Sequence, residues 1–179
     1  MPEIFLLNPL SFPSMKPLFF LLALTFAFAT ACKKEEADAL PKTTQTGQHT
    51  FGCLINGQAF LPKKAEEDIM QARPAEPFVT YYYKRTLNLS ASGNGHRIHI
   101  ALPGLVRPGT YPLGQLRHGC YTTAPETYYT DDSTHTGSVL LSRFDTVARI
   151  AAGTFEFSAH DHLSEKAVRL TKGRFDTKF

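Results

Sequence analysis

An all-β fold, an antiparallel β-sandwich of about ten short strands, is the class this sequence predicts. Three observations predict it. No long stretch repeats its apolar residues at helical spacing. Thr, Tyr and Phe are abundant, and these residue types suit a pleated, half-buried surface. Twelve glycines and twelve prolines cut the chain into short pieces, as turns between strands require. Unequal strand lengths and Pro-rich loops favour a sandwich; the alternative is a partly open β-barrel. No internal repeat is evident.

The clearest local element comes first. Thr50-Phe51-Gly52-Cys53-Leu54-Ile55 and Gln58-Ala59-Phe60-Leu61-Pro62 flank Asn56-Gly57, a two-residue type I′ hairpin turn. Residues 63–77 are polar and Pro-bounded, a loop with at most one helical turn. Residues 78–83 are β-prone. Leu87, Leu89 and Ala91 alternate with Asn88 and Ser90, and Ile98, Ile100 and Leu102 alternate with Arg97, His99 and Ala101; the turn 92–95 joins these runs as a hairpin with one wet face. Pro103-Gly104 and Pro108-Gly109 bracket a loop before a short strand at 109–111. Residues 120–122 and 127–130 pair around Ala124-Pro125-Glu126. Strand 137–144 turns near Asp145-Thr146 and returns over 149–159, with Phe155 and Phe157 on one face. After a turn over 160–166, Val168 and Leu170 alternate and Gly173 allows a bend. Phe175, Thr177 and Phe179 then face away from Arg174, Asp176 and Lys178.

Ahead of this domain, the only strongly apolar run covers residues 17–28 and ends in Ala29-Thr30-Ala31-Cys32. It is too short for a membrane span, which needs about 20 apolar residues, and it reads as a cleaved signal. Met1 begins a stretch whose only charge is Glu3, whereas Met15-Lys16 supplies a basic start, so translation is expected from Met15. Small residues before a cysteine are the lipoprotein cleavage pattern. The expected organisation is a signal peptide over 1–31, lipidated Cys32 with a flexible tether over 32–49, and one domain over 50–179. Acyl chains on Cys32 would hold the protein on the outer membrane, since multiple chains attach stably. Lys34-Glu35-Glu36 directly behind it suggests surface display; the alternative is a periplasm-facing anchor.

Composition excludes more than it assigns. The formal charge of +3 is scattered among acids, with no basic stripe, which argues against a nucleic-acid partner. Of three cysteines, Cys32 is taken by lipid. Cys53 and Cys120 remain in an oxidising compartment, where parity favours a disulfide; two buried thiols on separate strands are the alternative. No serine has a nucleophile-elbow context, no carboxylate pair is suggestive, and no phosphate loop precedes a helix.

Histidines come closest to a site. His160 and His162 fall on one side of an extended Asp161-centred step, a half-site for a transition metal. A metal centre needs three or four ligands, and the sequence nominates no third. His160 and His162 therefore read as a solvated hairpin tip, and the domain is expected to work with no cofactor and no metal. Tyr81-Tyr82-Tyr83 and Tyr128-Tyr129 alternate between faces, so some are core.

Thr50-Phe51-Gly52-Cys53 with Asn56-Gly57, Gly153-Thr154-Phe155-Glu156-Phe157, and Lys172-Gly173-Arg174-Phe175-Asp176 resemble the motifs of a family of small Bacteroidetes lipoproteins. The likeness runs over most of 50–179 and is densest at its two ends. It implies a lipid anchor and a β fold; the family has no assigned activity, so it implies no site residues. The expected function is a non-catalytic envelope domain that binds a protein, a peptide or a glycan, or fills a structural role. The alternative is a small hydrolase or metal-dependent enzyme whose site is assembled from distant loops.

Overall fold

A computed structural model describes residues 36–63, 78–104, 107–131 and 133–179. The signal segment, Met15, Cys32 and most of the 63–77 loop lie outside the described residues. The strands are β1 (Thr50–Ile55), β2 (Gln58–Phe60), β3 (Phe78–Tyr83), β4 (Thr86–Gly93), β5 (His96–Leu102), β6 (Gly109–Leu113), β7 (His118–Thr123), β8 (Glu126–Tyr129), β9 (Gly137–Asp145), β10 (Ile150–His160) and β11 (Ala167–Lys178). They form one open antiparallel sheet, β2-β1-β11-β10-β8-β7-β5-β4-β3, with β9 also on β10 and β6 on β9. The sheet does not close into a barrel.

The turn at Asn56-Gly57 has φ of 50° and 90°, the left-handed pair a type I′ turn demands and glycine tolerates without cost. Alternation then sorts the side chains. Leu87, Leu89, Ile98, Ile100, Leu102, Val139, Leu141, Leu170 and Phe175 are almost wholly buried. The sheet folds over itself to bury them. Phe51 of β1 packs on Phe78 of β3, the far edge of the sheet, with ring centroids 5.0 Å apart, and on Phe155 of β10 at 5.3 Å. Tyr82 meets Phe144 and Phe179 at 5.1 and 5.9 Å, while its neighbours Tyr81 and Tyr83 stay exposed on the opposite face.

The organising strand is β10. One edge pairs with β11 along nearly its whole length, from Ile150↔Lys178 to His160↔Ala167. Its other edge changes partner. It pairs with β9 from Ile150↔Asp145 to Phe157↔Gly137, then with β8 at His160↔Tyr129. The loop joining β8 to β9 fills the fork that this exchange leaves, and Ser158 N donates to Thr136 O at 3.0 Å there.

Two expectations are corrected. The stretch 37–49, read from its polar composition as part of a flexible tether, lies strapped to the domain. Glu36 Oε2 accepts from Ala59 N at 2.6 Å, Leu40 is buried, and Arg174 Nη1 donates to Pro41 O at 2.9 Å. The Asp176 carboxylate then accepts from Thr44 Oγ1 and from the N–H groups of Thr46, Gly47 and Gln48. The second correction concerns the thiols: Cys53 and Cys120 are both free. Cys53 is fully buried in the core. On β7 the buried residues are Gly119 and Tyr121, so Cys120 projects from the opposite face, beside Thr122, and strand alternation keeps the two sulfurs apart.

Candidate functional site

Asp131, His135 and His160 converge at the β10 fork, with ligand-capable atoms all within 4.8 Å of one another. His160 is not on a solvated tip. It is the last residue of β10, and only 19% of its side chain is exposed. Asp131 stands two residues past the end of β8 and His135 two residues before β9, so all three positions are set by strands meeting at one point.

Local hydrogen bonds fix the carboxylate. Thr130, the residue before it, is buried; its Oγ1 accepts from Gly119 N and donates to Gly114 O. Asp131 Oδ1 then accepts the N–H groups of Ser133, Thr134 and His135 at 2.7, 2.8 and 3.0 Å. This is the turn that an aspartate two residues ahead of its acceptor-starved N–H groups makes for itself. The bonds from His135 and Ser133, opposed by burial, hold the Asp131 carboxyl well below the usual carboxylate range. Its other oxygen, Oδ2, faces two imidazoles: His135 Nδ1 at 3.1 Å and His160 Nδ1 at 3.5 Å. The His135 and His160 rings stack at 4.3 Å. On its far side His160 Nε2 lies 3.0 Å from Nδ1 of exposed His162.

The following turn is also held. Asp161, itself buried, accepts from Leu163 N and Ser164 N through Oδ1 and from Thr127 N through Oδ2. Bonds from Ser164 and Leu163, against the pull of burial, keep its carboxyl below the ordinary range. The turn over 161–166 is thereby tied to β8.

The other histidines serve differently. His96 Nδ1 lies 2.7 Å from Tyr121 Oη and its ring stacks on that tyrosine. His99 and His118 sit 5.8 Å apart, ring to ring, and burial, then His118, then Arg97 lower the His99 pKa. A separate depression of about 340 Å³, sharing no residue with the fork, lies between the strap and β9–β11; Thr43, Ser138, Glu156, Lys172 and Arg174 line it.

Sequence reasoning picked out His160 and His162 but missed Asp131 and His135 as their partners. The only advance signal was the Asp131-to-Ser133 turn spacing; what joins it to His160 is the partner exchange of β10. Residues 75–177 match the model of a family described as a domain of unknown function (DUF6252), a span that includes β3 to β10 and the whole fork. No curated protein and no solved structure matches the chain.

Proposed function

This chain belongs to the family of the domain of unknown function DUF6252, and on that premise we propose that it is a lipid-anchored envelope protein whose β-sandwich is a binding or structural module. The observation that carries this reading is Ala29-Thr30-Ala31-Cys32 at the end of the apolar run. Acylated Cys32 holds the protein in the outer membrane, and Lys34-Glu35-Glu36 directs it outward, in keeping with its likeness to Bacteroidetes lipoproteins. Exposed Tyr81 and Tyr83, with Lys84 Nζ 5.2 Å over the Tyr83 ring, offer a peptide or glycan partner aromatic surface.

The test is metabolic labelling with a fatty acid in cells expressing the wild type and Cys32→Ala. Label on the wild type alone, with an uncleaved Cys32→Ala precursor, is the expected result; equal labelling sinks the reading. Protease applied to intact cells should remove the wild-type domain and spare a variant with Glu35 and Glu36 neutralised. A second reading, a metal-dependent enzyme assembled from distant loops, draws on Asp131, His135 and His160.

A further inference from the structure

We propose that Asp131, His135 and His160 bind one divalent transition cation, zinc foremost, at the fork of β10. The inference is independent of the lipid anchor and of any partner. Two imidazoles and one carboxylate are a donor set that borderline cations favour. The spacing fits as well. A tetrahedral ion with bonds of about 2.0–2.1 Å separates its ligand atoms by about 3.3–3.4 Å. The two edges from Asp131 Oδ2, 3.1 Å to His135 Nδ1 and 3.5 Å to His160 Nδ1, straddle that length.

An orphaned atom points the same way. His160 Nδ1 is buried and has no hydrogen-bond partner, an arrangement that costs free energy unless something satisfies it. Its other nitrogen, Nε2, stands 3.0 Å from His162 Nδ1. With the proton on Nε2 and donated to His162, Nδ1 turns a bare lone pair toward Asp131 Oδ2. Two acceptors facing each other repel, and a cation between them converts that repulsion into two bonds. Histidine ligands characteristically donate their second N–H to an outer partner, and His162 is that partner.

The ligands are held in advance. Asp131 Oδ1 is committed to three N–H groups, leaving Oδ2 aimed at the imidazoles, and His160 is fixed in the ladder opposite Tyr129. Their side chains remain 19–26% exposed, enough for entry and for water or a partner's donor to take a fourth position, as in open zinc sites.

The full chain, produced without a polyhistidine tag and stripped with chelator, would be titrated with Zn²⁺ against a chromophoric competitor and melted with and without the ion. One equivalent bound and a higher melting temperature are expected. Asp131→Asn keeps an oxygen for the three N–H groups, so the protein should still fold, with a somewhat lower metal-free melting temperature, while affinity falls by at least about tenfold and added Zn²⁺ no longer raises the melting temperature. His160→Gln should lose affinity likewise, His162→Ala less, and His99→Ala should match the wild type. Co²⁺ in place of zinc should give the intense visible bands of a four-coordinate site. No binding of Zn²⁺ or Co²⁺, or binding unchanged in both Asp131→Asn and His160→Gln, overturns the proposal.

Discussion

Asp176 Oδ1 accepts the Gly47 N–H at 2.7 Å across 129 residues of sequence. With Oδ2 taking Thr44, Thr46 and Gln48, one buried carboxylate turns a polar leader into part of the fold. Asp176→Ala should therefore lower stability by about 2–3 kcal/mol, the scale of lost hydrogen bonds to a charged group. Urea denaturation would measure it. Trypsin would report the local consequence, because exposed Lys42 should be cut far faster once the strap loosens. Unchanged cleavage at Lys42 would mean the strap is held by other contacts.

Acid should loosen the same contact. Burial pushes the Asp176 carboxyl up, but the bonds from Thr44, Thr46, Gly47 and Gln48 outweigh it and leave it below the usual range. Asp131 and Asp161 are depressed too. A carboxyl with a lowered folded pKa binds more protons unfolded than folded in acid, so its stabilisation is complete above the unfolded value of about 3.9 and is lost as pH falls through the folded one. The melting temperature should fall below about pH 4, and Asp176→Asn should flatten that fall. An equally steep fall in the variant would remove Asp176 from the account.

The thiols make a sharper case. Burial pushes the Cys53 thiol up to about 12, which leaves about one thiolate in ten thousand at pH 8. Cys120 is also raised, chiefly by burial, yet it stands on the outer face and is partly exposed. Iodoacetamide should label Cys120 in the folded protein and Cys53 only after unfolding. A Cys53–Cys120 cross-linked peptide in a non-reducing digest would contradict the opposed faces of β1 and β7.

Much of the fold was legible because its signals are local. Asn56-Gly57 announces its own turn, and Leu87-Leu89-Ala91 and Ile98-Ile100-Leu102 announce a hairpin by alternation. Asp176 was not legible. Alternation with Phe175 and Thr177 places it on a wet face, whereas Asp176 and Thr177 are both buried, because the strap covers that face from the other end of the chain. His160 reads as a turn residue for a related reason. Nothing within its own neighbourhood says that β10 continues past β9 and borrows one more pairing from β8, and the ligands Asp131 and His135 depend on that step.

The fork itself should be intolerant of bulk at Gly137. A Cβ there would sit 2.2 Å from Glu156 O and 2.3 Å from Phe157 Cβ, both on the strand it pairs with, so relief requires β9 to move off β10. Gly137→Ala should cost about 1–3 kcal/mol, as overpacking does. Gly57 provides the contrast: nothing lies within 4 Å of its Cβ position, yet its φ of +90° makes Gly57→Ala strained by conformation rather than by contact. Because Gly137 lies two residues beyond His135, its displacement should also perturb the loop. In ¹⁵N-correlated spectra, Gly137→Ala should shift the amides of Ser133, Thr134 and His135, which bond to Asp131, whereas Gly57→Ala should leave them in place. A Gly137→Ala protein with wild-type stability and unmoved loop amides would show that the fork is not rigid enough to position a site.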